Sequence, residues 1–398
     1  MQTFVEIDLP TSKSISNRLL ILQDINNHVF KIKSLSKADD SQQMFLLLQE
    51  KIQNPQGTHF NVGNCGTAFR FLTAYLATQK GKWIIDGCSR LRQRPISSEV
   101  ECLQSLGADI VYLKEKGYAP LQIIGKELHF STCTIDANQS SQFVSALCMI
   151  LPIENIEKTL IIKNLNASKS YVQQTVSLMQ NLGYNIDFKE NKIHYFPHNK
   201  TTLSEVEVEK DWSAAAFWYA YIANHFNKKL FLKGLKYSYL QGDVIIAKWM
   251  EAFGVQSTFL ANGVLIEKKE NIKPKNFIAD CSNNLDLVPL LIVLCVSCGI
   301  GAKLQKVQNL QYKESNRIKA LQQELKAFSE INLQENDIIV VPRQTKFPNT
   351  YFFSSYDDHR IAMCLMLLDQ QIQDIHIDNV ECVQKSYPNF WEEYKKMK

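Results

Sequence analysis

The sequence predicts an α/β fold of two similar domains, on three observations. A pattern of short strand, polar loop, amphipathic helix and turn recurs four times along the 398 residues. A second class of helix start, marked by small, polar or proline residues, alternates with it at a similar interval. The length also suffices for two domains of ordinary size, each with its own core.

The first pattern runs from Trp83-Ile84-Ile85-Asp86 to Gly107, and from Leu160-Ile161-Ile162-Lys163 to Gly183. It returns from Leu230-Phe231-Leu232-Lys233 to Gly254, and from Leu304 to Phe328. Gly107, Gly183 and Gly254 suit the position just past a helix, where a left-handed residue is needed, and they recur about every 71 to 76 residues. The second class begins at Thr11-Ser12-Lys13-Ser14, Gly66-Thr67-Ala68, Ser140-Ser141-Gln142, Ser213-Ala214-Ala215, Asp286 to Pro289, and Asp358-His359-Arg360. Each leads into an apolar run. Six units of two helices and several short strands account for the chain, three to a domain.

Composition narrows the function classes. Hydrophobic residues make up 45% and charged residues 21%, as in a soluble globular protein. Lys and Arg number 44 against 40 Asp and Glu, a net charge of +4, too balanced for a protein that binds nucleic acid through a large basic face. Anion binding must therefore come from local clusters. The start Met1-Gln2-Thr3-Phe4-Val5-Glu6 has neither a basic segment nor an apolar run, so no signal peptide is expected. The longest apolar stretch, Leu287 to Cys298, contains Pro289 and is too short to span a bilayer; it reads as a buried helix. Ten cysteines without a secreted-domain framework suggest a reducing compartment. Cys295 and Cys298 read as core residues, and His194 with His198 makes no zinc motif.

The helix starts carry the chemistry. A helix N-terminus presents free N–H groups and about half a positive charge, which attracts phosphate and carboxylate. Ser12-Lys13-Ser14-Ile15-Ser16-Asn17-Arg18 puts Ser14 and Arg18 one turn apart on one helix face. In Gly63-Asn64-Cys65-Gly66-Thr67-Ala68-Phe69-Arg70, two glycines allow close approach of backbone to an anion. This is neither a P-loop nor a Rossmann fingerprint, so a nucleotide is not implied. Arg90-Leu91-Arg92-Gln93-Arg94-Pro95, Lys313-Glu314-Ser315-Asn316-Arg317 and Asp357-Asp358-His359-Arg360 follow. Taken singly these are N-caps and solvated faces; their ordered succession points to an anion site.

In that order the motifs resemble the 3-phosphoshikimate 1-carboxyvinyltransferase (EPSP synthase) family, from Leu9 to about Tyr394. The resemblance implies a two-domain inside-out α/β barrel, each domain with three βαβαββ repeats. One domain would be discontinuous, residues 1–12 and 211–398; the inserted one would be 13–210, with the active site in the cleft between them. Lys13, Ser14, Arg18, Ser140, Ser141, Gln142 and Ser168 are then expected around shikimate 3-phosphate, with Asp286, Asn309 and Lys313 at its ring. Lys13, Gly66, Arg90, Gln142, Arg317, His359, Arg360 and Lys385 are expected around phosphoenolpyruvate, and Asp286, Glu314 and Lys13 as the catalytic groups.

The reaction so implied is addition then elimination. The 5-hydroxyl of shikimate 3-phosphate attacks C2 of phosphoenolpyruvate while C3 is protonated; loss of phosphate and of a methyl proton restores the enol ether. It requires an acid and a base but no cofactor or metal. The expected partners are the two small molecules alone, with no nucleic acid and no membrane, and the protein a cytoplasmic monomer. Gly66 stands where a phosphonate inhibitor such as glyphosate should fit. Thr11, Cys65 and Asn316 replace the glycine, alanine and aspartate usual in these motifs. Two other readings are a sister enolpyruvyl transferase acting on a UDP-amino sugar, whose reactive cysteine has no clear counterpart, and a non-catalytic anion-binding protein with the same fold.

Overall fold

The computed structural model describes residues 4–197 and 203–397; His198 lies outside them. Twelve α-helices are assigned there. They are α1 (Lys13–Ile25), α2 (Asp39–Gln53), α3 (Gly66–Ala77), α4 (Ser97–Ser105), α5 (Ser141–Ile150) and α6 (Lys169–Asn181), followed by α7 (Trp212–Asn224), α8 (Ile246–Glu251), α9 (Val288–Cys298), α10 (Arg317–Glu324), α11 (His359–Leu365) and α12 (Phe390–Lys395). The chain divides into two compact units, Lys13–Val208, and Met1–Ser12 with Glu209–Lys398. In the discontinuous unit the Ser12 amide donates to the Glu209 carbonyl at 2.8 Å and the Asp211 amide to that of Pro10 at 2.9 Å.

Odd-numbered helices begin at the polar starts and are the buried ones. In the inserted unit α1, α3 and α5 pack on one another. In the discontinuous unit α9 packs on both α7 and α11. Burial follows from sequence: α9 is apolar on every face and buried from Val288 to Ser297. Pro289 in its first turn has no N–H to orphan, and Gly299, at φ 68°, ends it in the left-handed conformation. Cys295 is wholly buried, as its place in an apolar run implies. Gly107, Gly183 and Gly254 follow α4, α6 and α8 at φ of 90°, 91° and 81°. At Gly254 a Cβ would also meet the Glu270 carbonyl oxygen at 2.4 Å.

Four four-stranded sheets share one topology, a parallel pair followed by two antiparallel pairings. In the inserted unit the spatial orders are His59–Asn61, Gly81–Asp86, Leu121–Gly125, Asp109–Tyr112, and Thr132–Asp136, Lys158–Lys163, Lys192–Phe196, Asn185–Lys189. In the discontinuous unit they are Val5–Asp8, Lys229–Lys233, Gly263–Lys268, Val255–Leu260, and Asn276–Asp280, Gly301–Gln305, Asp337–Pro342, Ser329–Gln334. The four β-like runs that open the sequence pattern are the second strand of each. The third repeat of each unit is shorter: a two-stranded parallel sheet, Glu205–Glu207 with Lys31–Lys33 and Thr350–Phe353 with Asp374–Ile377. Among the described residues it has no closing hairpin: residues 54–58 lead from α2 straight into the strand His59–Asn61, and α12 is the last helix assigned. No helix among the described residues is long and apolar enough to cross a membrane.

Candidate active site

The expected residues fall into two sets, one on each unit. In the discontinuous unit the centre is Asp286, in the 3-10 turn Leu285–Leu287 that leads into α9. Its Oδ1 lies 2.9 Å from Arg317 Nη1 and 3.2 Å from Lys313 Nζ, and its Oδ2 lies 3.1 Å from Arg360 Nη2. Arg360 Nη1 also donates to the Asp286 carbonyl, at 3.2 Å. Burial pushes the Asp286 carboxyl up, but Arg360, Lys313 and Arg317 together outweigh it and hold it well below the usual carboxylate range.

Arg317 is the foundation of this set. Its side chain is 1% exposed, and it serves three carboxylates: Asp286, Glu314 Oε2 at 2.9 Å and Asp358 Oδ2 at 2.8 Å. Asp358, fully buried, is the N-cap of α11 and accepts from the Arg360 amide at 3.0 Å and the Ser315 hydroxyl at 3.0 Å. Arg317, expected as a ligand of phosphoenolpyruvate, is a buried hub of three carboxylates. Burial opposes its charge, yet Asp358, Glu314 and Asp286 raise its pKa. The Glu314–Arg317 pair, at i,i+3, is largely buried. Asn316, where an aspartate was usual, caps α10 by accepting from the Lys319 amide at 3.2 Å.

His359 is buried as the first residue of α11, its Nδ1 3.8 Å from Asp358 Oδ1. Asn309 is half-buried in the 3-10 turn Gln308–Tyr312, beside Lys313; Lys385 ends the turn Val380–Lys385, which packs on α11. Behind Asp286 lies a carboxylate the sequence did not single out. Asp243 accepts from Asn284 Nδ2 at 2.9 Å and from the Ser213 hydroxyl. Burial pushes its pKa up, against the pull of Arg360.

In the inserted unit Lys13, the first residue of α1, pairs with Asp40 at 2.9 Å. Asp40 lies in the first turn of α2, where a carboxylate suits the helix dipole. Ser14 is half-buried and its carbonyl accepts from Arg18 Nη1 at 2.9 Å. Arg18 is 2% exposed and also donates to Thr175 Oγ1 at 2.7 Å, Ser145 Oγ at 3.2 Å and the Tyr171 carbonyl at 3.2 Å. It ties α1 to α5 and α6. Burial lowers its pKa to about 10, so it stays charged at neutral pH. Phe71 and Tyr171 face its guanidinium at 5.3 and 5.8 Å from their ring centroids.

Ser140 is the N-cap of α5, its hydroxyl accepting from the Gln142 amide at 3.2 Å; Ser141 is the first helical residue. Gln142 accepts from Arg70 Nη1 at 2.7 Å and donates to Thr67 Oγ1 at 3.1 Å, so it bridges the starts of α3 and α5. Ser168 precedes α6 with φ of 58°, a left-handed conformation uncommon for serine, and is 6% exposed. Gly66 opens α3 behind Cys65, whose Sγ accepts from the Ala68 amide at 3.3 Å.

One arginine differs from expectation. Arg90 lies on the loop before the turn Leu91–Gln93 and donates to Gln93 Oε1 at 3.2 Å. The guanidinium against Gly66 belongs to Arg94, 4% exposed: a Cβ at position 66 would sit 2.5 Å from its Cζ and Nη1. Arg70 is buried beside it, donating to the Pro95 carbonyl at 3.3 Å. The triple Arg-x-Arg-x-Arg pattern offered no way to choose, since the loop turn decides which side chain points inwards.

A family model described as EPSP synthase (3-phosphoshikimate 1-carboxyvinyltransferase) matches residues 49–394. The chain is 33% identical over 393 residues to the 3-phosphoshikimate 1-carboxyvinyltransferase of Bacteroides fragilis strain YCH46, covering 98% of this chain and 94% of the relative. The Buchnera aphidicola protein of the same description is 30% identical over 413 residues, covering 98% and 94%. An EPSP synthase structure from Acinetobacter baumannii superposes with a TM-score of 0.74 at 19% identity, over 98% of this chain and 95% of that one, and shares its fold. With the fold, the ordered motifs and these likenesses together, the chain belongs to the 3-phosphoshikimate 1-carboxyvinyltransferase (EPSP synthase) family.

Proposed function

We propose that the two sets of side chains act jointly on the substrates of the family's reaction. As a member of that family the chain transfers the enolpyruvyl group of phosphoenolpyruvate to the 5-hydroxyl of shikimate 3-phosphate, releasing phosphate. The observation that carries the assignment of roles is the Asp286 carboxylate, 16% exposed and held by Lys313, Arg317 and Arg360. Both substrates are polyanions, and arginine forks match their phosphate and carboxylate oxygens bidentately.

Before substrate arrives, Asp286 is ionised but weakly basic, because its neighbours stabilise the anion. An anion that takes Arg360 or Lys313 as its partner removes that stabilisation and raises the basicity of Asp286. The carboxylate can then accept the proton of the attacking hydroxyl. In this reading substrate binding itself prepares the base. Glu314 and Lys13 serve the proton transfers at C3, and Arg317 holds Asp286 and Glu314 in place. Ser140, Ser141, Ser168, Ser14 and Arg18 serve shikimate 3-phosphate, and Gly66, Gln142, His359, Arg360 and Lys385 phosphoenolpyruvate, with Arg94 taking the place expected of Arg90.

Phosphate release measured with each substrate alone and with both tests the reading. Release is expected only when both are present, and none when a UDP-amino sugar replaces shikimate 3-phosphate. Release with the sugar would transfer the assignment to the sister enzyme, and no release with any pair would leave only anion binding.

Gly66→Ala tests the cradle. The new Cβ forces the Arg94 guanidinium away, weakening a charge-assisted contact that is worth about 1.5–3 kcal/mol. Steady-state kinetics should show KM for phosphoenolpyruvate raised about tenfold, with the inhibition constant of glyphosate raised alongside. Unchanged values of both would remove Arg94 and Gly66 from the anion site.

A further inference from the structure

Glu99, on α4, is a charged residue type with no place in the roles above. Its side chain is fully buried, and neither carboxyl oxygen meets a hydrogen-bond donor among the described residues. Buried polar groups left so are rare and call for an explanation. The guanidinium that acts on it is that of Arg70. Arg70 in turn donates to Gln142 and to the Pro95 carbonyl, next to the Arg94 that lies on Gly66. Glu99 therefore sits behind the anion cradle, one side chain removed from it.

We propose that Glu99 is a positioning residue whose buried carboxyl takes up a proton from solvent when phosphoenolpyruvate enters the Gly66–Arg94 cradle beside Arg70, so that affinity falls as pH rises. The inference rests on the reading that this cradle binds that substrate. Burial raises the Glu99 pKa well above the ordinary glutamate value, and Arg70 alone draws it back. An ionised Glu99 competes with the substrate for Arg70. An anion in the cradle adds negative charge, disfavours ionisation of Glu99 and draws in the proton; by linkage, the same coupling makes protonated Glu99 favour the anion.

Two other titratable groups interact with Glu99, Cys102 on its own helix and Tyr112 on the strand Asp109–Tyr112; Cys133, on the strand Thr132–Asp136, is hydrogen-bonded to Cys102. Tyr112 is pushed up to about 12 by burial with help from Glu101 and Glu99, and Cys133 is raised by its hydrogen bond with Cys102 and by burial. Both stay neutral between about pH 6.5 and 8.5. Cys102 is lowered by that same bond, so it requires its own control.

The test compares the unmodified enzyme with Glu99→Gln, which imitates the protonated form, and with Cys102→Ser. KM for phosphoenolpyruvate is measured from pH 6.5 to 8.5 and each variant is read as a ratio to the unmodified enzyme, which cancels titration of the substrate. Glu99→Gln is expected to bind about fivefold more tightly than the unmodified enzyme at pH 8.5 and nearly equally at pH 6.5. Cys102→Ser should show a flat ratio. A flat ratio for Glu99→Gln, or a slope abolished by Cys102→Ser, overturns the proposal. Should Glu99→Gln fail to fold, calorimetry of phosphoenolpyruvate binding to the unmodified enzyme at pH 8 decides, in two buffers of different ionisation enthalpy. Proton uptake on binding supports the proposal, and none refutes it. Absence of any phosphoenolpyruvate binding would instead overturn the reading of the cradle.

Discussion

Asp286→Asn is expected to lower kcat by about a thousandfold, the middle of the range for removing a general base. The amide keeps the shape of the carboxylate and its acceptor oxygen, so the turn Leu285–Leu287 should hold. What it loses is the charge that faces Lys313, Arg317 and Arg360. Those cations, relieved of an internal anion, should bind phosphoenolpyruvate or inorganic phosphate more tightly, so that kcat falls while KM does not rise. Single-turnover kinetics with calorimetry of phosphate binding separate the two effects. Retention of turnover would remove Asp286 from the role of base. The same substitution carries a pH signature in stability. A carboxyl held below its unfolded value stabilises the fold above the ordinary pKa of about 3.9, and that contribution is lost as pH falls through the lower folded value. The unmodified protein should therefore lose more stability below about pH 4 than Asp286→Asn does.

Arg317→Met should cost about 3–5 kcal/mol, the effect of removing one partner from a buried charge cluster. Methionine fills the space of the aliphatic stem, so the loss is electrostatic rather than a cavity. Asp358, 0% exposed, keeps the Ser315 hydroxyl and the Arg360 amide but has no guanidinium to answer its charge. For a unit of this size the melting temperature of the discontinuous part should fall by about 10 °C. A double substitution, Arg317→Met with Asp358→Asn, should recover a good part of that loss, because the stranded charge is gone. Thermal unfolding of the two singles and the double measures the coupling. Strict additivity would mean that the pair stabilises nothing jointly.

Local signals placed much of the architecture. The polar starts before α1, α3, α5, α7, α9 and α11, and the glycines after α4, α6 and α8, rely on interactions within a turn or two. Such rules are readable along the chain. The missing hairpins of the two short repeats were not readable, because the pattern was inferred by likeness among the four long ones. Side-chain direction was the other gap. Arg90 and Arg94 are alike in the sequence, and only the turn between them points Arg94 at Gly66. Arg317 lies 41 residues from Asp358 and 31 from Asp286, and Arg360 lies 74 from Asp286, so no spacing rule joins these pairs. Asp40, Asp243 and Glu99 escaped notice for the same reason. Each matters through a residue distant in sequence, and an isolated acidic residue in a helix or turn carries no mark of that.

Three partly exposed cations of these two sets are already matched inside the protein: Lys13 by Asp40, and Lys313 and Arg360 by Asp286. The surface there behaves as an ion-exchange resin loaded with its own counterions, rather than as an open basic patch. An incoming anion must displace a tethered carboxylate that is present at very high local concentration. Chloride, singly charged and held by nothing else, makes a poor eluent. A multivalent ligand that engages several of these cations at once can carry the exchange through, which favours organic phosphates bearing a carboxylate over the salts of the cell.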